Sequence, residues 1–108
     1  MSERSEQPSV EVVDREDEGR YDALINGAVA GSAFYRVIDG RVVVTHTEVG
    51  DAYEGRGVAS AIAEAVLADV RERGRQIVPL CPFFAGYIER HPEHEDLVDR
   101  VTYARLTS

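Results

Sequence analysis

The sequence predicts an α+β fold in which an antiparallel meander of four strands is followed by a helix, a fifth strand and a second helix. Three observations predict it. Asn26-Gly27 and Asp39-Gly40 each stand between apolar runs, and each joins two residues that tolerate positive φ, the signature of a two-residue hairpin turn. Val58, Ile62, Val66 and Val70 recur at every fourth position, the spacing of a helix with one buried face. Gln76 to Leu80 is a short apolar run closed in by Gly74 and Pro82, which suits a buried strand.

In chain order, residues 1–9 are polar and charged with almost nothing to bury, so a disordered tail is expected there and a single domain over 10–108. Val10-Glu11-Val12 alternates apolar with polar and reads as a first strand. Arg20 to Ile25 reads as a second, with the charged turn Arg15 to Gly19 between them. Ala28 to Val37 and Arg41 to Val49 complete the meander, and alternation places Val42, Val44, His46 and Glu48 on one face of the last strand. In the helix that follows, Leu67 lies beside the apolar stripe, Glu64, Asp69, Arg71 and Glu72 take other faces, and Gly74 ends it. Pro82 opens the second helix at its first position, where a missing N–H costs nothing, and Phe84, Tyr87, Ile88 and His91 form its stripe up to His91-Pro92. Glu93 to Ser108 carries Leu97, Val98, Val101, Tyr103 and Leu106 without a clear period, so no element is assigned to it.

At 108 residues and 44% hydrophobic, the chain supports one compact core and not two. Its 20 acidic residues against 12 basic ones give a net charge of −8, which repels phosphate backbones and anionic headgroups and argues against nucleic acid and membrane as partners. Every basic side chain of the Lys/Arg type is an arginine, so an acylating activity would find no lysine on its own surface. A single cysteine, Cys81, excludes an internal disulfide and leaves either a packed small hydrophobe or a thiol in a reducing compartment, hence an expected cytoplasmic location. No apolar stretch has the length of a secretion signal or a membrane span, and a soluble, unprocessed chain is expected. Exposed hairpin edges are compatible with a monomer or a weak homodimer.

The segment most suggestive of chemistry is Gly55-Arg56-Gly57-Val58-Ala59-Ser60. Small residues directly before a helix let the backbone turn tightly and aim several N–H groups at one point, which with the helix dipole makes an anion site. A pyrophosphate is the natural occupant, with Arg56 adding a salt link from the rim. The same glycines also suit a plain strand-to-helix connection. Glu54 to Ala59 resembles the cofactor loop of the GNAT superfamily of acetyltransferases, whose pattern is Gln or Arg, two residues, Gly, one residue, then Gly or Ala. Gly57 and Ala59 match its last two fixed positions, and Glu54 departs from the first, leaving the phosphates to backbone donors. The wider string His46-Thr47-Glu48-Val49, Glu54 to Gly57, Val78 to Phe83, Tyr87-Ile88 and Arg90 to Glu93 is similar to a subgroup of very small GNAT-like proteins of unassigned substrate.

This resemblance implies an N-acetyltransferase that takes acetyl-CoA as co-substrate and passes the acetyl group to an amine acceptor. It implies a sheet whose fourth and fifth strands splay apart, with the pantetheine arm between them near Val49 and the phosphates against Glu54 to Ser60. The subgroup lacks the usual two helices after the first strand, so an open acceptor site is implied. Glu54 and those missing helices also fit a second reading, a coenzyme A-binding or protein-interaction module without turnover.

Acyl transfer to an amine needs a base for the ammonium proton and a donor for the departing thiolate. Cys81, directly before Pro82, falls at a helix N-cap where the dipole favours a thiolate, so it is either a nucleophile carrying the acetyl group or a lining of the pantetheine tunnel. His46 is suited to taking a proton or activating Cys81, against an ordinary hydrogen-bonded histidine, and Glu48 either orients it, acts as base, or is a solvated carboxylate. Tyr87 resembles, by its place in the last helix, the tyrosine that many GNAT enzymes use as acid toward the coenzyme A sulfur; packing with Phe83 and Phe84 is its alternative. His91 and His94 stand three apart between glutamates, but Pro92 interrupts the helix that would align them, and no metal site is expected.

Overall fold

The computed structural model of the chain describes residues 9–108, and residues 1–8, nearly all of the expected tail, lie outside the described residues. Five strands form one sheet in the order β1 (Glu11–Arg15), β2 (Arg20–Ile25), β3 (Ala28–Ile38), β4 (Arg41–Val49) and β5 (Gln76–Pro79). The first four pair antiparallel and β5 joins β4 in parallel. Both predicted hairpins turn as their dipeptides require: Asn26 and Gly27 have φ of 52° and 82°, Asp39 and Gly40 52° and 79°. The acidic stretch Glu16–Glu18 coils into a 3-10 turn before β2.

Helix α1 (Val58–Glu72) connects β4 to β5, and α2 (Pro82–Arg90) follows β5 with Pro82 at its start. A parallel pair needs such a crossover. The stripe Val58, Ile62, Val66, Leu67 and Val70 of α1 packs with Phe84, Tyr87 and Ile88 of α2 against Tyr21, Ala23, Ala33, Tyr35, Val42 and Val44 of the sheet. Both helices therefore cover one face, and the core lies between them and the strands.

Two bulges set which side chains reach that face. In β3–β4, Phe34 opposes His46 while Tyr35 opposes Val44, so Thr45 is the extra residue. This corrects the expected face of β4. Val42 and Val44 point into the core, but the added residue inverts the alternation beyond it, so Thr47 and Val49 continue the core side while His46 and Glu48 emerge on the opposite face. A second bulge between Ala23 and Leu24 on β2 has Ala30 as its extra residue on β3.

The unassigned C-terminal segment has structure. Pro92–Leu97 is a 3-10 turn, Val98 bridges to Ile77 beyond β5, and Arg100–Thr107 forms α3, which packs against β5. Asp99 caps α3 by accepting from the Thr102 N–H at 3.0 Å and is paired with Arg41, on the face of the sheet away from α1 and α2. Elsewhere on that face, among the described residues, no helix is packed across β1 to β3.

Candidate active site

β5 pairs with β4 only from Arg41↔Gln76 to Val44↔Pro79, and the Cys81 N–H then donates to Val44 O at 2.9 Å. From there the chain turns into α2, while Thr45 to Val49 of β4 run on with β3 alone as partner. An opening is left between the end of β4 and the start of α2. Two side chains meet at its base: the Cys81 thiol donates to Thr47 Oγ1 at 3.3 Å. Cys81 is at the N-cap of α2, as its position before Pro82 suggests, and is buried. Thr47 was absent from the sequence candidates because only the bulge at Thr45 turns it inward.

Val49 and the loop to α1 lie at the same end of the sheet. Gly50 donates to Ala30 O at 2.8 Å, Asp51–Tyr53 forms a 3-10 turn, and the chain reaches α1 through Gly55 and Gly57, with φ of 82° and 75°. An added Cβ would meet nothing at either glycine, so their left-handed backbone, not crowding, is what demands glycine. Gly57 is the N-cap, and the first intrahelical bond runs from Ala61 N to Gly57 O at 3.0 Å. With no side-chain cap, the N–H groups of Gly57, Val58, Ala59 and Ser60 have no intrahelical acceptor and converge at the positive end of the helix.

Val58 anchors this end in the core over Gly31, where a Cβ would fall 3.3 Å from both Val58 Cγ1 and Val49 Cγ2. Glu54, Gly55, Arg56, Gly57 and Ser60 are exposed and Ala59 is half-buried. The Arg56 guanidinium stands 5.9 Å from the centre of the Tyr53 ring, which steadies it at the rim of the loop. Free amides, a nearby arginine and absent Cβ atoms fit a phosphate. The acidic Glu54 adds nothing to that fit.

His46 and Glu48 do share a face: His46 Nε2 is 3.3 Å from Glu48 Oε1, and the imidazole stacks on Phe34 at 6.0 Å. Both are exposed, on the face of the sheet opposite Thr47. The thiol of Cys81 thus meets a threonine hydroxyl and not the imidazole that sequence reasoning offered as its activator.

Tyr87 is 6% exposed and lies in the groove between α1 and α2, where its ring stacks on His91 at 4.0 Å. Burial, with the negative charges of Glu64 and Glu93 behind it, pushes its phenol pKa up, so the proton stays on at neutral pH. His91 Nδ1 is 2.8 Å from the Tyr87 carbonyl oxygen. Its ring centre lies 6.5 Å from that of His94, and among the described residues no group of three or more His, Cys, Asp or Glu could hold a metal.

Residues 20–97, which include β2 to β5, α1, α2 and every candidate above, match the model of the family described as GCN5-related N-acetyl-transferase. The chain belongs to this family. Its fold is that of the group: the solution structure of a GCN5-like protein from Staphylococcus aureus superposes with a TM-score of 0.63 at 23% identity, covering 82% of this chain and 86% of that one. Protein NATD1 of Gallus gallus and that of Mus musculus are each 37% identical over 59 residues, 54% of this chain and 54% of theirs. Protein NATD1 of Homo sapiens shows 37% identity over 52% of its length. The chain thus aligns with about half the length of the curated relatives it matches. Among the described residues of this GCN5-related chain, no helix is long and apolar enough to cross a membrane.

Proposed function

We propose that this chain is an acetyl-CoA-dependent N-acetyltransferase that passes the acetyl group directly to an amine. The observation carrying this reading is the opening where β5 leaves β4 at Val44, beside the uncapped start of α1. In this reading the amides of Gly57 to Ser60 hold the phosphates with Arg56 at the rim. The free edge of β4 up to Val49 takes the pantetheine amides that a strand would otherwise pair. The acceptor enters from the second face, where His46 and Glu48 stand in water ready to receive the ammonium proton. The amine nitrogen bonds to the acetyl carbon, the carbon–sulfur bond breaks, and Tyr87 is the proton donor to the leaving thiolate.

Cys81 lines the opening in this account. Its hydrogen bond runs to a hydroxyl that is no base, and among the described residues no imidazole or carboxylate is hydrogen-bonded to it. The Cys81→Ala variant is expected to keep kcat/KM within about threefold, and intact-mass analysis after acetyl-CoA alone to show no acetyl increment on the wild type. An acetylated wild type, or loss of turnover by about a thousandfold in the variant, would establish the covalent route instead. His46→Gln should lower kcat by about a hundredfold with acetyl-CoA affinity retained. A second reading, a coenzyme A-binding module without turnover, is favoured by the exposed carboxylate of Glu54 next to the loop. Binding of acetyl-CoA with no transfer to any amine would select it.

A further inference from the structure

The face of the sheet that presents His46 carries an ordered set of charges that the transfer chemistry does not use. Register fixes its layout. Arg15 on β1, Arg20 on β2, Phe34 on β3 and His46 on β4 stand in one cross-strand row. The next row is Val13, Asp22, Ser32 and Glu48. Arg36, two residues along β3 from Phe34, projects on the same face.

Arg15 and Arg20 are directly opposite each other, an unfavourable arrangement for like charges. It is held by Asp22, a carboxylate only 1% exposed, which accepts from Arg15 Nε at 3.1 Å, Arg20 Nε at 2.9 Å and the Ser32 hydroxyl at 2.7 Å. Burial works against that charge, and the Ser32, Arg20 and Arg15 bonds outweigh it and hold the carboxyl below the ordinary range. Asp22 takes the Nε atom of each guanidinium group. Glu18 reaches a terminal nitrogen of Arg20. Arg36 is exposed and forms no ion pair among the described residues. The half-buried ring of Phe34 lies between these arginines and the His46 imidazole, and no helix among the described residues covers it.

Three arginines stand around one aromatic ring; Arg15 and Arg20 are paired with Asp22 and Glu18, and Arg36 is the one of the three that forms no ion pair among the described residues. From strand spacing and rise, Arg36 and Arg20 stand about 8 and 10 Å from His46 at the level of the backbone. We propose that the acetyl acceptor is an amine bearing an anionic group, carboxylate or phosphate, at that separation. The amine lies at His46 and Glu48, the intervening carbon chain crosses Phe34, and Arg36 and Arg20 hold the anion. This inference rests on the acetyltransferase reading above and names its substrate class.

The test compares four amines of one length, 6-aminohexanoate, 6-aminohexyl phosphate, hexylamine and 1,6-diaminohexane, for binding by NMR titration and for acetyl transfer by thiol release. The two anionic amines should be bound and used at least about tenfold better than hexylamine, with the diamine no better than hexylamine. The ratio between the two shows which anion is preferred. In Arg36→Gln, an exposed and unpaired position whose folding is checked by Tm, that preference should fall to within about twofold. In Arg36→Glu it should pass to the diamine. Equal use of hexylamine and 6-aminohexanoate, or an undiminished preference in Arg36→Glu, overturns the inference and leaves the acetyltransferase reading standing. Anion-selective binding with no transfer to any of the four overturns the acetyltransferase reading and keeps the arginine site as a ligand site.

Discussion

At the scale of single residues, small displacements decide which chemistry is possible. Thr45 is the plainest instance: one extra residue in β4 carries Thr47 to Cys81 and sends His46 to the other face. Alternation along Arg41 to Val49 was legible in the sequence, but a bulge has no local signature there, because Thr, His and Glu are as acceptable on one face as on the other. Asp99 is a different instance. Its spacing to Thr102 is a capping pattern, yet no apolar period follows to announce α3. Its carboxyl pKa is held down to about 2, first by the Thr102 N–H, then by the Arg41 guanidinium and the Thr102 hydroxyl, against the opposing effect of burial. A pKa lower in the folded than in the unfolded chain means that its contribution is complete above about pH 4 and is lost as pH falls toward about 2. The α3 amide shifts should therefore move toward random-coil values across that window, and Asp99→Ala should show them already displaced at neutral pH. Unchanged α3 shifts in that variant would mean that the cap does not hold the helix.

At the scale of elements, turn chemistry and apolar period were the legible signals. The asparagine- and aspartate-glycine pairs set both hairpins through residues at positive φ, and Val58, Ile62, Val66 and Val70 of α1 set its buried face. What they could not disclose is where β5 stops pairing, since that depends on Pro82 diverting the chain after Cys81 has made its last bond to Val44. The loop before α1 was legible in its glycines, and the role proposed for it depends on their dihedral angles. Gly57→Ala forces a side chain to φ of 75°, which costs about 1 kcal/mol and lowers Tm by about 5 °C. Because the same strain turns the first amides of α1, acetyl-CoA affinity should fall by about tenfold in calorimetric titration. Wild-type affinity in a variant that shows the expected Tm loss would separate the loop from the phosphates.

At the scale of the whole molecule, the sheet divides the work. Its covered face carries the core and the opening of β4 from β5; its other face carries the base candidates, the arginine row and, at the β5 end, α3. Among the described residues no helix lies across β1 to β3 on that second face, which leaves it open to an acceptor and is legible in the sequence as the uninterrupted run of hairpins from Val10 to Val49. In the proposed function acetyl-CoA occupies the opening and the α1 N-terminus together. Amide chemical-shift mapping during an acetyl-CoA titration tests it most directly. Saturable shifts should concentrate at Thr45 to Val49, Gly55 to Ser60 and Cys81, with β1 and α3 unmoved. Shifts confined to other parts of the chain, or none at millimolar acetyl-CoA, would contradict it.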